Sequence, residues 1–173
     1  MISFDSLPTT RPNQTIAKGT YYGTIENAEM KQPKDVTKPL YLNMLIALKN
    51  KEGKSVGKVY DMLSESDKDL VKYKLARFIK ALGLDKVLTG SFELSDLCKI
   101  IKNKELIVDI MPEKQNNEET GRTVVDCFTG GIYYPMSEAQ EIFQTTPVIN
   151  APDAADAQNS NTVHNTDIED DIF

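Results

Sequence analysis

Residues 40–49, LYLNMLIALK, place Leu40, Leu42, Met44, Ile46 and Leu48 on one phase and Tyr41, Asn43, Leu45 and Ala47 on the other. A period of two belongs to a pleated strand with one face in a core. The chain around this stretch is bound by that requirement. KNKEGKS after it supplies a Gly-containing hairpin turn, and VGKVYDML returns as a further strand. Before it, KGTYYGTIENAEMKQ is rich in β-branched and aromatic residues and reads as a first strand near 19–31, joined through the polar loop QPKDVTKP.

Past residue 64 the period changes. Ser66 and Asp69 form an S-x-x-D start signal, and Val71, Leu75, Phe78, Ile79 and Leu82 recur at helical spacing before Gly83, which predicts a helix over 67–82. A shorter helical stretch is expected at LSDLCKIIKN, with Leu94, Leu97, Ile100 and Ile101 on one face. KELIVDIMPEK then turns Leu106, Val108 and Ile110 inward, QNNEETGR reads as a loop, and TVVDCFTGGIYY as a last strand with TGG at 129–131 as a bulge or bend. Three meandering strands, a helix and two more strands are the layout of an OB-fold. The expected architecture is therefore mainly β: a five-stranded OB-fold barrel with a helix between strands 3 and 4, occupying residues 1–136. Residues 137–173 lack periodicity beyond one helical turn at SEAQEIF and are expected to be a disordered acidic tail.

Charge follows the same division. Of 20 basic and 26 acidic residues in the chain, 137–173 hold eight acids and no Lys or Arg, so this tail is −8 and the body about +2. Residues 18–58 are locally +4. Within them lysines interleave with tyrosines: Lys18 with Tyr21 and Tyr22, Lys38 with Tyr41, Lys58 with Tyr60. Single-stranded nucleic acid is held by such a mixture, because cations track phosphates while aromatic faces stack splayed bases. Taken singly, each tyrosine is better accounted for as a half-buried barrel residue and each lysine as part of a solvated face. As a set, Lys18, Tyr22, Lys31, Lys34, Lys38, Tyr41, Lys49, Lys58, Tyr60 and Arg122 form the candidate nucleic-acid site, since strands 2 and 3 and the loops 1–2 and 4–5 carry oligonucleotides in this fold.

Other chemistries have less raw material. Cys98 and Cys127 lack a CxxC partner and read as buried free thiols, and the single histidine, His164, lies in the tail, so no metal or cofactor is expected. Asp35, Glu52 and Lys54 imitate the D…ExK arrangement of metal-dependent nucleases, but fall on a loop and a hairpin tip. Asp109 and Asp126 are placed to face each other on neighbouring strands. No apolar run reaches the roughly 18 residues of a membrane span, and MISFDSLPTTRPNQ has no charged n-region or apolar h-region, so a cytoplasmic protein is expected.

The final stretch, TDIEDDIF, resembles the C-terminal tip of bacterial single-stranded DNA-binding proteins, an acidic run followed by Ile-Pro-Phe that recruits replication and repair enzymes. Asp170, Asp171, Ile172 and Phe173 match that tip, without its penultimate proline. Over residues 17–134, KGTYYGTIENAEMKQ, a short loop, a hydrophobic strand, GKVYDML and a helix ending in ALGL resemble phage-type single-stranded DNA-binding proteins encoded beside recombinases. The resemblance implies sequence-tolerant protection of single-stranded DNA in phage replication and recombination, in the host cytoplasm, without catalysis and with partner enzymes recruited by the tip. The alternatives are a protein–protein adaptor with an OB-like body and, after it, a metal-dependent nuclease.

Overall fold

The structure is a computed structural model and describes residues 16–88, 90–128 and 131–145. The alternating stretch becomes the middle of an antiparallel meander, β1 (Gly19–Lys31), β2 (Tyr41–Lys49) and β3 (Ser55–Ser64). Leu42, Met44, Ile46 and Leu48 are fully buried, as the alternation demands, whereas Leu40 precedes the strand and stays half exposed. The β2–β3 turn closes on Asn50, whose carbonyl accepts from Gly53 N–H at 2.9 Å and whose side chain accepts from Lys54 N–H at 2.8 Å.

Helices α1 (Asp69–Ala81) and α2 (Leu94–Ile100) follow. The expected start signal of α1 does not form a cap: Lys68 occupies the N-cap position, and Ser66 Oγ accepts only its N–H, at 3.3 Å. Gly83, at φ 65°, ends the helix in the left-handed region as expected. β4 (Glu105–Gln115), β5 (Glu118–Val125) and the two-residue β6 (Tyr133–Tyr134) complete one sheet of order β3-β2-β1-β4-β5, with β6 on the same edge of β4 as β5. Helix α3 (Ala139–Thr145) lies beyond the division expected at residue 136. Among the described residues no helix is long and apolar enough to cross a membrane.

One face of the sheet and the helices enclose the core. Ile25, Ile46, Leu106, Val108, Phe78 and Leu97 are each 0% exposed, and each such side chain contributes about 1.5–3 kcal/mol when fully withdrawn from water. Packing at Gly23 leaves no room for a side chain, since a Cβ would lie 2.8 Å from Ile46 Cγ2 and 3.3 Å from Val108 Cγ1.

Three further expectations are corrected. The sheet is open rather than a closed barrel: β3 and β5 curl into contact, but no backbone ladder joins them among the described residues. Helix α1 packs on β3 and β6. Its Arg77 donates from Nε to Gly131 O and from a terminal nitrogen to Tyr133 O, both at 2.9 Å, and its Phe78 meets Tyr133 edge-on with centroids 5.3 Å apart. A Cβ on Gly131 would come within 2.7 Å of that guanidinium. The last strand is also not one run from 123 to 134. Asn116 and Asn117 both adopt positive φ, 52° and 67°, which satisfies a two-residue type I′ turn, so β5 already begins at Glu118. After Val125 the chain leaves the ladder and rejoins β4 only at Tyr133. Cys98 and Cys127 are free but only half-buried, and burial raises the Cys127 thiol pKa.

Candidate nucleic-acid interface

The period that buries four β2 residues turns the others outward, and antiparallel register decides what joins them. Tyr41, Asn43, Leu45 and Ala47 stand opposite Ser64, Met62, Tyr60 and Lys58 of β3. On the other side Tyr41, Asn43, Leu45, Ala47 and Lys49 stand opposite Lys31, Glu29, Asn27, Thr24 and Tyr22 of β1. Directly opposed residues share a face. The outer surface of β1, β2 and β3 therefore collects Tyr22, Lys31, Tyr41, Lys49, Lys58 and Tyr60, six of the ten residues expected in the site.

Its centre is apolar and open. Tyr60 is 66% exposed and Met62 60%, with Leu45 and Tyr41 half-buried beside them. Lys31 stands directly opposite Tyr41 in the β1–β2 ladder. Lys31 Nζ is 2.8 Å from Glu29 Oε1, and Lys58 Nζ is 2.5 Å from Glu26 Oε2. The Lys31 side chain lowers the Glu29 pKa, helped by a hydrogen bond from Asn43, and Glu29 in turn raises that of Lys31.

The remaining expected residues are distributed elsewhere. Lys34 and Lys38 are exposed on the β1–β2 loop, and Arg122 is exposed on β5, outside the three strands of the face. Lys18 precedes β1 at a cleft of about 280 Å³ that Asp109, Asp126 and Tyr134 also line. Tyr22 is engaged: its ring packs on Phe143 of α3 with centroids 4.6 Å apart. The tip residues Asp170, Asp171, Ile172 and Phe173, and nearly all of the expected tail, lie outside the described residues.

The two carboxylate constellations resolve differently. Asp35 Oδ1 accepts from Thr37 N–H at 3.1 Å and Thr37 Oγ1 at 2.6 Å, hydrogen bonds that lower its pKa and tie it into the β1–β2 loop. Glu52 and Lys54 occupy the opposite end of β2 in the turn to β3, so these three residues form no single cluster. Asp109 and Asp126 do meet. Asp126 N–H donates to Asp109 O at 2.8 Å, and Asp109 takes hydrogen bonds from Thr20 Oγ1 at 2.8 Å and Tyr134 Oη at 2.9 Å. Burial, with the Asp126 charge as a lesser cause, raises the Asp109 pKa. Among the described residues no three His, Cys, Asp or Glu are grouped to hold a metal.

Sequence reasoning passed over Glu26, Glu29, Met62 and Asp61. The first three share the outward phase with residues it named. Asp61 shares the inward phase of β3 with Val59 and Leu63 and is 8% exposed. Lys74 Nζ of α1 donates to Asp61 Oδ1 at 2.5 Å and to Met62 O at 3.0 Å, and Tyr133 Oη donates to Asp61 Oδ2. Strand β3 is thus pinned from beneath at the point where it displays Tyr60 and Met62.

Fold and face together define a mainly antiparallel sheet protein whose outer side bears an open aromatic strip bordered by lysines. Residues 3–144 match a family described as a protein of unknown function, DUF669, and the chain belongs to that family. A search of curated proteins finds no match.

Proposed function

We propose that the outer face of β1, β2 and β3 binds single-stranded DNA with little regard to sequence, and that the chain serves phage DNA replication and recombination as a binding module. The observation that carries this reading is the exposure of Tyr60 and Met62 on the face they share with Tyr41, with Lys31 directly opposite Tyr41. Large apolar groups left open on a sheet call for a ligand, and stacked bases suit an aromatic surface edged by cations. The strand order β3-β2-β1-β4-β5, with the helices between β3 and β4, supports reading the sheet as a partly open OB-fold, in which strands 2 and 3 contact oligonucleotides. Recruitment of replication and recombination enzymes is assigned to Asp170, Asp171, Ile172 and Phe173 on their resemblance to a recruiting tip.

Fluorescence anisotropy of labelled oligonucleotides against salt tests the binding. With roughly 3 to 5 phosphates neutralised, log affinity falls against log salt with a slope of about −2 to −3.5. Salt-independent binding, or equal affinity for a duplex, defeats the reading. Deleting Phe173 should abolish capture of the partner enzymes while leaving oligonucleotide affinity nearly unchanged. A protein-binding adaptor is the second reading, favoured by the pairing of Lys31 and Lys58 with glutamates, which leaves the face close to neutral. The same titration separates the two.

A further inference from the structure

Unpaired lysines on a sheet would attract any polyanion, because phosphate charge carries no information about whether the bases are stacked or free. The outer face does not present its central lysines unpaired. Lys58, two residues before Tyr60 on β3, and Lys31, opposite Tyr41, are each occupied by a β1 carboxylate, at 2.5 Å and 2.8 Å.

The backbone builds this pairing in. The β1–β2 register slips between Ile25 and Asn27, so Glu26 is the extra residue of a bulge, and bulges re-aim side chains. Opposite Lys58 stands Ala47, whose methyl group leaves an open lane across the middle strand, and the β3 lysine reaches through it to the β1 glutamate. Glu29 stands opposite Asn43 in the β1–β2 ladder, which keeps its carboxylate on the same face as Lys31.

We propose that Glu26 and Glu29 are specificity-determining residues: they occupy Lys58 and Lys31 in place of phosphate, so that a polyanion gains the face only if it also brings unstacked bases to Tyr60 and Met62. The inference rests on the single-strand reading of this face. A duplex or a polyphosphate must displace the carboxylates for charge alone. A single strand displaces them and stacks on the strip that the displaced lysines border.

The test compares the full chain with Glu26→Gln/Glu29→Gln and with a charge-matched control, Glu65→Gln/Asp85→Asn, both of whose sites are exposed and off the sheet. Three probes are titrated from about 50 to 300 mM salt: a labelled single strand, a hairpin duplex and inorganic polyphosphate. At roughly threefold per lysine freed, the double glutamine variant should bind duplex and polyphosphate about tenfold tighter at the low end. Its duplex salt slope should steepen by about 1.8, at ~0.9 per lysine, and its preference for single strand over duplex should narrow. The control should show none of these changes. Unchanged duplex and polyphosphate affinity in the double variant overturns the proposal, and so does an equal gain in the control. If the wild-type chain binds no single strand, the reading of the face fails separately, and the polyphosphate arm still decides whether the glutamates mask the lysines.

Discussion

Lys58 and Asp61 stand three residues apart on β3, on opposite faces of the strand, and each belongs to an ion pair with a nitrogen–oxygen distance of 2.5 Å. The side chains of Lys58 and Glu26 are 54% and 37% exposed, those of Lys74 and Asp61 13% and 7%. Water screens the outer pair and rehydrates either partner when the other leaves, so it adds little to stability and is free to exchange its carboxylate for a ligand's phosphate. The inner pair has no such recourse. It is braced by the Tyr133 hydroxyl on Asp61 and by the second bond from Lys74 to Met62 O, and it joins β3, α1 and β6. Burial still raises the Asp61 pKa, against the attraction of Lys74. Equal distances thus serve opposite ends, and the local dielectric decides which.

The sharpest way to break the comparison is to remove one partner on each side. Asp61→Ala leaves Lys74 without its counter-charge and Tyr133 without its acceptor, and should cost about 3–5 kcal/mol in chemical denaturation. A loss no larger than that of Glu26→Ala would show that the inner pair is as well hydrated as the outer one. The complementary change is Tyr60→Ala. It should weaken single-strand binding by ~1–3 kcal/mol, the worth of one stacked base, with the denaturation midpoint nearly unmoved. Binding and folding lost together would make Tyr60 part of the core, which its exposure contradicts.

The two faces were unequally legible in the sequence, for physical reasons. The alternation of 42–48 fixes which β2 residues go in and which go out, and once the flanking stretch is read as a strand, Tyr41, Lys58 and Tyr60 fall on one surface by parity alone. Along β1, parity puts Glu26 with Tyr22 but sets Lys31 on the other face; a register slip against β2, a property of the pair of strands, brings Lys31 back to theirs. Asp61 carried a readable signal, an acid on the inward phase between Val59 and Leu63. Its partners are 13 and 72 residues away, and nothing local names them. The turn at Asn116–Asn117 was hidden in a polar stretch that looked like a longer loop, and the failure of the sheet to close was hidden because it depends on how β3 and β5, distant in sequence, meet. The tail motif lies wholly in sequence, and the described residues neither add to it nor subtract from it.

A smaller effect sharpens the contrast through pH. Asp61 has its folded pKa above the unfolded value, so between the two the native state holds more protons than the unfolded chain. Its contribution is fully present below the unfolded carboxylate pKa and declines as pH rises through the folded one. The stability of the wild type relative to Asp61→Asn should therefore fall as pH rises from about 4, in denaturation curves taken at intervals to about 8. A difference that grew with pH would mean that Lys74 outweighs burial.

On the outer face the sign reverses and the size shrinks. Glu29 has its folded pKa lowered, first by the hydrogen bond from Lys31, so its contribution is present above the unfolded carboxylate pKa and lost as pH falls through the folded one. Because Glu29 stands in solvent, water and salt screen most of that gain. The wild type should be indistinguishable from Glu29→Gln near pH ~3, slightly more stable from about pH 5 upward, and indistinguishable again at every pH in roughly 1 M salt, where the screening length is about 3 Å. A difference that persists in salt would place Glu29 among the buried charges. One that is constant across pH would trace the effect to packing of the side chain and leave the Lys31 pairing without a thermodynamic signature.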